Sequence, residues 1–251
     1  MGGDIVKKIL SRISVIIFIV ALSLGNSLNI SSIVMAAPNG KTITQEIKTS
    51  DFIEMKTPEA ALKLLKAGNE RFQKNELMQV NLSSAKREQL LNAQHPIAVI
   101  ITCSDSRVPP EFIFNQGLGD LFVVRVAGNV IDKIELGSVE YAVKHLKTPL
   151  IVVMGHQHCG AIEAAVEESG KVQQGNIGAI LEKIEPSVKK VKWKSLKGEN
   201  LVEEVTNENI YNSSREIKQS KVIKQQLEKG NIKIVEAKYI LKSGVVQWLN
   251  N

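Results

Sequence analysis

At 251 residues with 43% hydrophobic side chains, the chain can bury a sizeable core, enough for one α/β domain or two small ones; we read one. Its net charge of +6 falls to about +4 outside residues 1–36, where Lys7, Lys8 and Arg12 stand against Asp4. A mixed surface with only 4% aromatic residues to stack on bases excludes a nucleic-acid-binding role.

Lys7, Lys8 and Arg12 precede an apolar run over residues 13–24, and Val34-Met35-Ala36 offers the small or aliphatic residues a signal peptidase requires. Gly25, Asn26, Ser27 and Asn29 stop that run short of the roughly 20 residues a membrane span needs. We therefore read residues 1–36 as a cleaved signal peptide rather than an anchor, with a secreted or periplasmic mature chain and no stable membrane span. Residues 37–56 are polar without periodicity and read as a linker or arm.

The domain proper spans residues 57–251. Thr57-Pro58-Glu59 supplies an N-cap, a first-turn proline and an early carboxylate, followed by Ala60, Leu62, Leu64, Leu65 and Phe72 at helical spacing. Ser83 or Ser84 caps a second helix running to Leu91, which Pro96 ends. The β-branched run at residues 97–102 then suits a strand buried on both faces, as in a parallel sheet. Residues 121–126 and 149–154 repeat that pattern. Helical segments at 136–146 and 161–168 alternate with these strands, and 176–194 and 201–227 read as helical. Residues 232–240 and 245–249 flank a Ser243-Gly244 turn and read as an edge hairpin. The fold class is α/β: a mostly parallel sheet flanked by helices, with an antiparallel C-terminal edge hairpin. Asn81-Leu82-Ser83 and Asn212-Ser213-Ser214 match a glycosylation pattern that also arises by chance.

Only two cysteines are present, Cys103 and Cys159. In an oxidising compartment two cysteines suggest a disulfide. That pairing does not explain Asp105 and Arg107 beside the first cysteine or His156 before the second. Thiolate and imidazole are ligands zinc prefers, so Cys103, His156 and Cys159 supply three of four tetrahedral positions. All three fall at carboxyl ends of strands, where ligands bind in such folds. The fourth position is either water, giving a catalytic site, or Asp105, giving a closed one. Arg107 can fork Asp105 and hold it off the metal.

Cys103-Ser104-Asp105-Ser106-Arg107, Arg125-Val126-Ala127-Gly128-Asn129 and His156-x-x-Cys159-Gly160 together resemble the β-class carbonic anhydrases, from about Thr57 to the C-terminus. The resemblance implies reversible hydration of CO2 to bicarbonate at zinc, with Asp105 and Arg107 as a catalytic dyad. It implies a homodimer or homotetramer in which the leading helix packs onto a partner subunit. It also implies that Gln94 donates a hydrogen bond to substrate or product, and that Phe122, Ala127, Gly128 and Tyr141 line the pocket, some across the subunit interface. The resemblance also implies that His158, at a position the family varies, is exposed and available to assist proton transfer, whereas read from the residues alone Phe122 and Tyr141 are plain core and His95 and His145 are structural or surface residues. Ile100 stands where members with a second, inhibitory bicarbonate site carry tryptophan, which speaks against that control. Two alternatives stay open: hydrolysis of carbonyl sulfide or carbon disulfide, and a non-catalytic zinc or bicarbonate-binding module.

Overall fold

The computed structural model describes residues 32–36, 42–46, 57–171, 175–192 and 194–249, in two units that divide after Met55. In the first unit β1 (Ser32–Ala36) and β2 (Thr42–Glu46) pair antiparallel, with Ala36 opposite Thr42. A strand thus forms inside the stretch whose lack of periodicity predicts an arm, because β-branched Thr42, Ile43 and Thr44 favour extended backbone locally. The basic and apolar parts of the leader lie outside the described residues, and cleavage after Ala36 would part these two strands.

The second unit is built on β3 (Ala98–Thr102), β4 (Leu121–Arg125), β5 (Leu150–His156), β6 (Lys233–Tyr239) and β7 (Val246–Trp248). Their order across the sheet is β4-β3-β5-β6-β7, parallel except for the antiparallel β6/β7 pair at one edge. Every residue of β3 and β5 is buried, as continuous apolar runs between two helical layers require. Eight helices flank the sheet among the described residues: α1 (Pro58–Lys74), α2 (Ser84–Gln89), α3 (Pro110–Ile113), α4 (Lys133–His145), α5 (Gly160–Glu167), α6 (Gly175–Lys192), α7 (Gly198–Gln219) and α8 (Lys221–Glu228).

Alternation along β3 divides the core. Ala98 and Ile100 face Ala61 and Leu65 of α1 and Phe114 after α3, whereas Val99 and Ile101 face Val139 and Val143 of α4, Ile210 and Ile217 of α7 and Ile223 of α8. A third cluster joins Cys103 and Cys159 to Ile162 of α5, Ile184 and Val188 of α6 and Val205 of α7. The metal-ligand candidates are therefore rooted in packed apolar side chains.

Thr57 caps α1 by accepting from the Ala60 amide at 3.2 Å, and left-handed Asn75 ends it. Ala61 and Leu65 of this helix pack against the sheet of its own chain, while Leu64 is 40% exposed. Buried Asn69 donates to the Gly244 carbonyl at 2.8 Å and accepts from the Val246 amide at 2.9 Å, tying α1 to the C-terminal hairpin. One helix predicted over residues 201–227 is two, because Ser220 leaves helical geometry and caps α8 by accepting from Ile223.

Candidate metal centre

Two strand ends and a helix N-cap build the centre. Cys103 directly follows β3, His156 is the last residue of β5, and β3 and β5 are parallel neighbours in register, Thr102 opposite Met154. The chain then turns through left-handed His158 so that Cys159 becomes the N-cap of α5. All three side chains are buried. Their ligand atoms lie within 4.8 Å of one another.

Both cysteines are free thiols, with Cys103 Sγ 3.9 Å from Cys159 Sγ. That is far beyond a disulfide bond of ~2.05 Å. It matches the separation of about 3.8 Å for two sulfurs each ~2.3 Å from a tetrahedral zinc ion. The Nδ1–H of His156 donates to the Gln157 carbonyl at 2.9 Å, leaving the Nε2 lone pair buried with no hydrogen-bond partner. A ring fixed through one nitrogen with the other bare is how imidazole is presented to a metal. The donor set fits zinc.

Electrostatics point the same way. The two sulfurs share a hydrogen bond, and this bond, helped by His156 and by the amides of Asp105 and Gly128, lowers the Cys103 pKa against the effect of burial. Cys159 is pushed upward by its bond to Cys103, by burial and by the adjacent thiolate, although amides at the start of α5 oppose the rise. Ionising both sulfurs side by side therefore needs a cation between them.

Asp105 and Arg107 form a closed fork at the rim. Arg107 Nε donates to Oδ1 at 2.9 Å, Nη2 to Oδ2 at 2.7 Å, and the Arg107 backbone amide to Oδ1 at 2.9 Å. Arg107 Nη2 also reaches the His158 carbonyl at 3.2 Å, linking the two ligand-bearing loops. Oδ2 of Asp105 remains 3.8 Å from His156 Nε2, close enough to contend for a metal. Held chiefly by the Arg107 side chain, the Asp105 carboxyl is lowered to about 2.

Gly128 belongs to the same centre, its amide donating to Cys103 Sγ at 3.3 Å, and half-buried Ala127 precedes it. Gln94, Phe122 and Tyr141 are not brought to the metal ligands on this chain. Gln94 is exposed, and Phe122 lies opposite Val99, four residues before Cys103. Tyr141 is 48% exposed and stacks between Phe122, at 6.3 Å between ring centroids, and His145, at 5.1 Å. These aromatics form a half-open surface layer rather than plain core. Half-exposed His158 faces Glu163 and Glu199 at 3.9 and 3.7 Å.

Sequence reasoning missed three contributors. Arg125 clamps the Cys103 loop, donating to the carbonyls of Cys103 at 3.1 Å and Asp105 at 2.6 Å. Asn209 and Ser213 of α7 reach the Gly128 and Asn129 carbonyls. The available signal was their spacing: both fall on the stripe Val205, Ile210, Ile217 that α7 buries, where polar residues need a partner.

A profile of the carbonic anhydrase family matches residues 98–246. The chain is 41% identical over 193 residues to a carbonic anhydrase of Mycolicibacterium smegmatis, covering 76% of this chain and 92% of that one. It is 50% identical over 133 residues to carbonic anhydrase 2 of Mycobacterium tuberculosis, covering 52% of this chain and 64% of the relative. Among solved structures, that of the β-carbonic anhydrase CcaA superposes with a TM-score of 0.60 at 29% identity, covering 75% of this chain and 95% of that one.

Proposed function

The chain belongs to the β-class carbonic anhydrase family, and from that premise we propose that it catalyses the reversible hydration of CO2 to bicarbonate and a proton, with zinc held by Cys103, His156 and Cys159. The observation that carries this reading is the convergence of two free sulfurs 3.9 Å apart and a bare imidazole nitrogen beside a forked Asp–Arg pair. Bound zinc supplies the Lewis acidity that makes water a nucleophile near neutral pH.

The remaining work falls to the chain. With a pKa lowered to about 2, Asp105 is ionised at neutral pH and can only accept a hydrogen bond. It therefore orients the attacking water through Oδ2 and does not donate a proton. Arg107 holds that carboxylate in place through three bonds and keeps it from competing as a ligand. Half-exposed His158 at the mouth is placed to help the proton reach solvent. Gln94, Phe122, Ala127 and Tyr141 complete the substrate pocket in a homodimer or homotetramer. Export follows from the leader, and N-terminal sequencing of secreted protein tests it, with a start near Ala37 expected.

Metal analysis with a CO2 hydration assay tests the activity. We expect about one zinc per chain, loss of hydration on chelation and recovery on adding zinc back. Full zinc content in Cys159→Ala would overturn the ligand assignment, and faster turnover of carbonyl sulfide than of CO2 would replace the substrate.

A further inference from the structure

Between β4 and α4 the backbone passes through two consecutive left-handed residues, Gly128 at φ +68° and Asn129 at φ +46°. A Cβ on residue 128 would stand 2.8 Å from Ile184 Cδ1 and 3.3 Å from Ala161 Cβ, so any other residue here would combine a left-handed backbone with contacts that its neighbours must yield to. Its product is one contact, the Gly128 amide aimed at Cys103 Sγ at 3.3 Å.

Locally the turn is closed by the Asn129 amide donating to the Val126 carbonyl at 3.0 Å, and α7 holds it from outside. Asn209 Nδ2 donates to the Gly128 carbonyl at 2.7 Å, and Ser213 Oγ donates to the Asn129 carbonyl at 2.8 Å. Both side chains are buried. Asn209 Oδ1 and Asn129 Nδ2 have no hydrogen-bond partner, so the asparagine carries an uncompensated polar atom in the interior. The bond to the Gly128 carbonyl is therefore the contact that accounts for a polar residue at this place on the stripe.

We infer that Asn209 is a positioning residue for the metal centre, seconded by Ser213: by fixing the Gly128 carbonyl it aims the Gly128 amide at the Cys103 sulfur, and so sets zinc affinity and the electron donation of that thiolate. The inference rests on the zinc ligands proposed above. An amide hydrogen bond to a metal-bound sulfur draws charge from it, and partners that orient ligands typically govern metal affinity by about 10–100-fold.

The test compares wild type, Asn209→Leu, Ser213→Ala and, as a control for lost packing on the same helix, Ile217→Val. Zinc affinity is read by competition with a chelator, and the thiolate by the sulfur-to-metal charge-transfer band of the cobalt-substituted protein. Asn209→Leu should bind zinc about 10–100-fold more weakly with a shifted band, Ser213→Ala should move both less in the same direction, and Ile217→Val should lower the melting temperature while leaving the band unmoved. Wild-type affinity and an unshifted band in both polar variants overturn the inference. Should Asn209→Leu fail to fold, Ser213→Ala decides alone, and its equality with wild type overturns the inference. Failure of wild type to bind zinc through the three ligands overturns the metal assignment instead.

Discussion

Arg107 holds both oxygens of Asp105 in a fork, at 2.9 and 2.7 Å, while one of those oxygens lies only 3.8 Å from the Nε2 of His156. The carboxylate is thus near enough to bind the metal and is restrained from doing so. Arg107 itself is 53% exposed on its side chain, so the restraint comes from directed bonds rather than from a deeply buried charge pair. Arg107→Ala should retain zinc, because it removes no ligand, yet lose CO2 hydration by about 10–100-fold or more as Asp105 takes the fourth position. A crystal structure of the variant checks this directly. Open, water-bound zinc or an active enzyme would refute the gate while leaving the zinc site standing.

The same pair predicts an acid response. Asp105 is lowered from its ordinary 3.8 to about 2, first by the Arg107 side chain. A depressed folded-state value means that the contribution to stability is complete above the unfolded value and is lost as pH falls through about 2. Denaturation of reduced, zinc-free protein measures it without metal loss intervening. The stability gap between wild type and Arg107→Ala should be constant from pH 7 to about 5, shrink below about 4 and close near 2. A gap that instead opened on acidification would show that Arg107 does not act through the Asp105 carboxylate.

Gly128→Ala combines a positive φ with a Cβ 2.8 Å from Ile184 Cδ1. Relief comes from a turn of the Ile184 side chain or from a shift of the strained loop, and a shift of the loop draws the amide off Cys103 Sγ. The expected cost is about 2 kcal/mol or more in thermal or denaturant unfolding, together with weakened zinc binding. Unchanged melting would show that the loop can relax at little cost.

The buried strands were legible because Ala98 to Thr102 and Leu150 to Met154 are continuous apolar runs, and a parallel sheet needs such runs. The ligand trio was legible because Cys103, His156 and Cys159 sit in short motifs whose geometry is local. Asn209 was legible only as a polar residue on a buried stripe of α7; its partner Gly128 is 81 residues away, and nothing near either residue names that contact. Helix α3 has four residues after paired prolines, too few to show a period. Ser220 breaks α7 from α8 with one capping bond, and within a charged helical stretch it looks like any other polar surface residue. The apolar spacing of α1 was legible too, and Ala61 and Leu65 pack on the sheet of their own chain.

The oligomer proposed above needs apolar surface that the chain's own packing leaves exposed. Leu77, Met78, Leu82, Phe112 and Leu118 are exposed around one groove at the start of edge strand β4. Apolar patches of this kind mark protein–protein contacts. Gln94, just before β3, Phe122, on β4, and Tyr141, on α4, do not reach the metal ligands on their own chain. We therefore expect an oligomer seated on this groove that brings such side chains to a neighbouring centre. Phe112 is 65% exposed, so Phe112→Asp removes little packing within the chain. Light scattering should show the variant as a monomer with unchanged circular dichroism and one bound zinc. Its kcat/KM should fall by about 100-fold, as misplacement of substrate-orienting groups typically costs. Gln94→Ala should lower kcat/KM without changing the mass. A wild-type monomer with full activity would sink the proposal that a second chain completes the pocket.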